Sequence, residues 1–160
     1  MAKIEPSFKQ PAIFLSTLGG IGYLPKAPGT WASLITLAPV FFIQKYTEPI
    51  GLLVFCSLIF IIGVWACTHH EILTKSHDPK HCVIDECLGQ SLVLLFTPSD
   101  PMFYILAFVY FRFFDIVKPW PTNWFDRNVK GGLGVMFDDV VAGAQAIIAM
   151  ILTHKFLDVF

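Results

Sequence analysis

The chain has 160 residues, of which 55% are hydrophobic and only 14% charged, and its mean hydropathy is +0.65. That length suits one domain over residues 1–160, and so much apolar surface is more than a water-soluble domain of this size readily hides. A net charge of −1 and a pI near 6.5 exclude the basic footprint of a nucleic-acid binder.

Lys3 and Lys9 precede a moderately apolar stretch, Pro11–Leu24, broken by Gly19, Gly20 and Gly22. Prolines follow it rather than a cleavage site, so no signal peptide is expected. The stretch reads as an interfacial or re-entrant entry to the first helix. Pro25 and Pro28 then stiffen a loop in which Thr30 is a suitable N-cap. Lys26 and that helix start are also able to receive a phosphate.

Five apolar stretches come next: Trp31–Gln44, Ile50–Cys67, Cys87–Phe96, Met102–Val117 and Val140–Leu152. A helical crossing takes about 20 residues, with a lower limit near 17. Only Ile50–Cys67 clearly reaches that length alone; the others must extend into their flanks, lie partly at the interface, or pack inside the bundle. Let the N-terminus be cytoplasmic and all five cross. Then Lys3, Lys9, Lys26, Lys75, Lys80, Arg112, Lys118, Arg127 and Lys130 fall inside, with only Lys45 and Lys155 outside. The expected fold is therefore all-α: a multi-pass membrane helical bundle of about four to five membrane-associated helices. Its polar catalytic loops, Gly19–Thr30, Thr68–Glu86 and Arg112–Asp139, share the cytoplasmic face.

Carboxylates stand in tight groups at the edges of these stretches. Asp85-Glu86 closes a polar loop and opens an apolar helix. Helix capping explains one acid there; two adjacent acids, with others on the same face, point to a hard cation. Arg112, Asp115 and Lys118 recur at i, i+3 and i+6, so they share a helix face that ends before Pro119. An i, i+3 salt bridge with snorkelling cations accounts for this spacing, and so does a phosphate clamp held by its counter-ion. Gly131-Gly132-Leu133-Gly134 followed by Asp138-Asp139 reads either as a flexible loop with an Asp cap or as a close-approach anion loop.

Other residues carry less. The four cysteines, Cys56, Cys67, Cys82 and Cys87, lack metal-ligand spacing and read as free thiols in a reducing compartment. His69, His70, His77 and His81 read as exposed polar residues, because Asp78-Pro79 breaks any helix joining His77 to His81. There is no Cys-x5-Arg loop, Asp-x-Asp-x-Thr, Gly-x-Ser-x-Gly elbow or Walker loop, and two arginines cannot form a multi-Arg phosphatase signature.

Taken in order, the motifs resemble the phosphatidylglycerophosphatase A family of bacterial inner-membrane enzymes. The matching pieces are Pro28-Gly29-Thr30 with Ser33, His77-Asp78, Asp85-Glu86, Arg112-Phe113-Phe114-Asp115 through Lys118-Pro119-Trp120-Pro121, Trp124-Phe125-Asp126-Arg127-Asn128, and Gly131 through Gly143 with Asp138-Asp139. Ala32, where Gly is often expected, departs from the pattern without consequence.

The resemblance implies a Mg2+-dependent phosphomonoesterase that converts phosphatidylglycerophosphate to phosphatidylglycerol and phosphate. It also implies a multi-pass protein of the bacterial inner (cytoplasmic) membrane, with its active site facing the cytoplasm and the bilayer lipid as its substrate. On that reading Asp85, Glu86, Asp138 and Asp139 are ligands to one or two Mg2+ ions. Arg112 and Lys118 neutralise the phosphate oxygens, while Asp115 orients Arg112 or joins the metal shell. Lys26, Thr30 and the glycine loop, through Gly132 and Gly134, close over the phosphate. Two other readings remain: a phosphohydrolase of another membrane lipid phosphate, and a small cation transporter whose acids line an ion path.

Overall fold

A computed structural model describes residues 10–75 and 81–157, with Leu157 described by its backbone alone; the statements below concern these residues. Lys3, Lys9, His77, Asp78 and Lys80 lie outside them. The described chain is all-helical: α1 Pro11–Ser16, α2 Pro28–Tyr46, α3 Pro49–Thr74, α4 Ile84–Leu95, α5 Pro101–Val117, α6 Thr122–Asn128 and α7 Gly131–Leu157, with a 3-10 turn over Ile21–Tyr23.

Proline sets most of the helix starts. Pro11, Pro28, Pro49 and Pro101 each open a helix, where a fixed φ helps and a missing N–H costs nothing. Asp100 also caps α5, its side chain accepting from the Met102 and Phe103 backbone N–H groups at 2.9 and 3.4 Å. Pro28 corrects the expected role of Thr30. The helix begins at the proline, Ala27 occupies the cap position in a left-handed conformation (φ 47°), and Thr30 already lies inside the first turn. At the other end of α5, Lys118 has φ 45° just before Pro119, ending the helix where the sequence required.

α2, α3, α4 and α7 each outrun their apolar stretches by three residues or more, and the extensions of α4 and α7 concern the acids. α4 starts at Ile84, so Asp85 and Glu86 stand in its first turn. α7 starts at Gly131, so the expected glycine loop is the first turn of a helix. That extension gives α7 the length to cross a membrane over Gly131–Phe156, as α3 has over Pro49–Thr74. These are the two described helices that meet the length and composition for a crossing, against about four to five expected. α4, at 12 residues, is about 18 Å long and too short to cross alone.

α4 is the hub, packed by α7, α2, α3 and α5. Gly89 allows the closest approach: a Cβ there would lie 2.4 Å from the Phe111 ring and 3.0 Å from the Asp139 carbonyl. Phe111, Leu88, Val93, Leu94, Met136 and Ala142 fill the core around this contact. At the far end, Tyr104 Oη donates to Gln44, whose Nε2 donates to the Leu94 carbonyl at 2.6 Å, tying α5, α2 and α4.

The Pro11–Leu24 segment docks on protein. Ser16 Oγ lies 2.7 Å from His70 Nδ1, and the Ser16 carbonyl accepts from Val83 N–H at 2.8 Å. His70 is fully buried by this contact, contrary to the expected exposed histidine. The remaining outer surface is strongly apolar, with Leu58, Ile61, Ile116, Ile148 and Leu152 all more than half exposed.

Candidate active site

Three helix ends meet at one cavity: the first turn of α4, the last turns of α5 and the first turns of α7. The α4–α7 approach at Gly89 brings Asp139 beside Asp85 and Glu86. One carboxylate oxygen from each of these three residues lies within 4.8 Å of the others. Asp85 Oδ1, Glu86 Oε2 and Asp139 Oδ2 are buried and have no hydrogen-bond partner. Buried polar atoms without partners cost free energy, and charged ones cost more. Oxygen donors in this arrangement fit a hard divalent cation. Burial and then repulsion from Glu86 push the Asp85 carboxyl well above the usual range, and burial pushes Glu86 up to about 7. A cation would reverse both shifts.

Asp138, expected among the metal ligands, faces a different partner. Its Oδ2 lies 2.5 Å from Lys118 Nζ, and its Oδ1 accepts from the Asp139 backbone N–H at 3.1 Å. Lys118 Nζ also pairs with Asp126 at 2.5 Å. Burial alone would lower the Lys118 pKa, but the Asp138 and Asp126 carboxylates outweigh it and raise it.

Arg112 and Asp115 form the i, i+3 pair their spacing predicts, at 2.7 Å. Arg112 Nη1 also lies 3.9 Å from Glu86 and donates to Ser33 Oγ at 3.3 Å. The guanidinium thus sits against α2 and α4, with Asp115 as its main anchor. Gly29 makes room on the α2 side: a Cβ there would lie 1.9 Å from Glu86 Oε1.

The cavity holds about 400 Å³. Asp85, Glu86, Asp115, Lys118, Asp138 and Asp139 line it, together with Glu71, Asp126, Arg127, Lys130, Gly131 and Gly134. Other expected phosphate contacts lie off this wall. Lys26 is exposed on the turn before α2, and Thr30 is half-buried on α2. Gly132 faces α3, where a Cβ would come 2.4 Å from Thr68 Oγ1 and the Val64 carbonyl. Helix contact explains that glycine.

The sequence placed Arg127 and Lys130 on the inner side and Asp126-Arg127 in the run Trp124–Asn128, but assigned none of Asp126, Arg127, Lys130 or Glu71 to the site, because spacing alone does not connect that run to Lys118.

Comparison with known proteins bears on this constellation. A family model described as phosphatidylglycerophosphatase A matches residues 14–154. The phosphatidylglycerophosphatase A of Haemophilus influenzae is 38% identical over 146 residues, covering 90% of this chain and 89% of that protein. That of Escherichia coli is 36% identical over 146 residues, covering 89% and 83%. A Bacteroides thetaiotaomicron protein with the provisional name phosphatidylinositol-3-phosphatase is 37% identical over 152 residues, covering 90% and 92%. No solved structure matches the chain.

Proposed function

The chain belongs to the phosphatidylglycerophosphatase A family, and from that premise we propose that it hydrolyses the terminal phosphomonoester of phosphatidylglycerophosphate, releasing phosphatidylglycerol and inorganic phosphate. The observation that carries the reading is the convergence of Asp85, Glu86 and Asp139, one carboxylate oxygen of each lying within 4.8 Å of the others and each residue keeping a buried oxygen without a hydrogen-bond partner, on a cavity also lined by Lys118. Metal-assisted phosphate hydrolysis needs a site for a cation and a positively charged seat for the phosphate, and these residues offer both.

Asp85, Glu86 and Asp139 would hold a Mg2+ ion, which supplies charge neutralisation and an acidified water for attack on phosphorus. Lys118 is kept protonated by Asp138 and Asp126 and is available to the phosphate oxygens. Arg112, fixed by Asp115 and Ser33, stands beside Glu86 and adds positive charge there. Asp115 and Asp138 therefore act through the cations they hold.

A multi-pass setting in the bacterial inner membrane, with the site facing the cytoplasm, fits the same picture. α3 and α7 are the crossing helices; α2, α4 and α5 complete the bundle within them. Exposed tryptophans support a lipid interface, and those near Gly29 and Gly132 bring it to the site. Trp31, Trp65, Trp120 and Trp124 are 47, 44, 77 and 51% exposed. Trp31 is two residues from Gly29, Trp65 follows Val64 beside Gly132, the Trp120 carbonyl accepts from Gln145 on α7, and Trp124 precedes Phe125, which stacks on Phe137. Exposed tryptophans favour the headgroup layer. The acids gather around one cavity rather than along a path through the bundle, which favours hydrolysis over transport.

The Bacteroides relative supports one second reading, hydrolysis of phosphatidylinositol 3-phosphate. Phosphate release by purified protein from these two lipids and from a polyprenyl phosphate separates the readings. The proposal requires the highest kcat/KM on phosphatidylglycerophosphate; a higher value on either other lipid would replace it.

A further inference from the structure

Two cations on the cavity wall have no task in the reaction above. Arg127, near the end of α6, and Lys130, one residue before α7, both line the cavity and are exposed. Neither makes an ion pair among the described residues. Lys118 and Arg112, by contrast, are each tied to two carboxylates. Two positive charges with no ion pair among the described residues, on the wall of a cavity proposed to take a phosphate, are suited to a second anion. Trp124, on the same short helix as Arg127, is half exposed, as suits a residue beside lipid headgroups.

The substrate of the proposed reaction has a second anion to offer. A terminal monoester hangs on a headgroup that is itself joined to diacylglycerol through a phosphodiester. The cavity's roughly 400 Å³ falls in the range of small-molecule sites and admits a glycerol with two phosphates, but not acyl chains. The monoester goes to the Asp85–Glu86–Asp139 and Lys118 side. The phosphodiester then remains at the mouth, where the chain leaves for the bilayer.

We infer that Arg127 and Lys130 form a phosphodiester subsite, which selects lipids carrying both a bridging phosphate and a terminal monoester over lipids with a lone monoester. This rests on the reading of the site as a lipid phosphomonoesterase. Arg127 and Lys130 are specificity residues here and touch no reacting atom.

The test compares full-length protein in detergent micelles with R127Q/K130Q. The control is K45Q/K155Q, which removes the same charge in the last turns of α2 and α7. In R127Q/K130Q the KM for phosphatidylglycerophosphate rises by about tenfold or more, with kcat within about twofold. The inhibition constant of phosphatidate, whose only phosphate is a monoester, stays at the wild-type value. K45Q/K155Q matches wild type on both lipids. An equal rise for both lipids, or no rise for phosphatidylglycerophosphate, overturns the subsite. Calorimetric titration with glycerophosphoglycerol, a phosphodiester without a monoester, decides the same point without turnover. It should bind wild type about tenfold more tightly than R127Q/K130Q, and equal binding refutes the subsite. If wild type releases no phosphate from any lipid, the phosphatase reading fails, and that titration alone judges the subsite.

Discussion

The carboxylates around the cavity divide by what their oxygens face. Asp85, Glu86 and Asp139 keep oxygens without partners, whereas Asp115 and Asp138 are engaged by Arg112 and Lys118. Removing Lys118 leaves a buried Asp138 unpaired at the phosphate seat, so Lys118→Met should lower kcat by about a hundredfold. Asp126→Asn leaves the Asp138 partner in place and should cost only about two- to fivefold; phosphate-release kinetics on both variants check the order. Gly29→Ala is a sharper probe, because its two effects have opposite signs. Alanine favours the helix by about 0.5–1 kcal/mol, yet its Cβ would displace the Glu86 carboxylate. Thermal stability should hold while apparent Mg2+ affinity falls by about tenfold. Proton competition gives the pH dependence. Glu86, raised from 4.5 to about 7, must lose its proton to bind a cation. Apparent Mg2+ affinity should therefore fall as pH drops below about 7, as a Mg2+ titration at several pH values would show.

Among the helices, α4 and α7 decide the site. Their contact at Gly89 sets the register that brings Asp139 to the α4 N-terminus. Gly89→Val overpacks against Phe111 and should lower stability by about 1–3 kcal/mol, seen as a lower melting temperature in detergent. Much of this level was legible in the sequence. The acids were expected at the edges of apolar segments, and the Arg112–Asp115 pair follows from i, i+3 spacing. The prolines before α3 and α5 also mark where those helices begin. The remainder depended on helix starts. Hydropathy begins α7 at Val140, but the helix begins nine residues earlier, at Gly131, where Gly132 packs closely on α3 and Gly134 on Val129. Composition alone suggested a loop there. Thr30 looked like a cap until Pro28 took the first helical position.

At the scale of the whole molecule, the chain places an acid-rich, charged cavity at one end of an apolar bundle. Composition and charge asymmetry indicated that arrangement before any contact was known. They could not indicate that the Asp138 carboxylate pairs with Lys118, since that contact joins the end of α5 to the start of α7 across 20 residues of sequence. They also could not identify Arg127 and Lys130 as cavity residues, because long-range packing of α6 on α7 puts them there. The central claim is that Asp85, Glu86 and Asp139 hold a divalent cation that hydrolysis requires. Its most direct test is Mg2+-dependent phosphate release from phosphatidylglycerophosphate by wild type and Asp139→Asn, both shown to be folded in detergent. The account predicts saturable Mg2+ dependence and loss with EDTA for wild type, and at least about a hundredfold lower kcat for Asp139→Asn. Near-normal, Mg2+-dependent release by Asp139→Asn would contradict it.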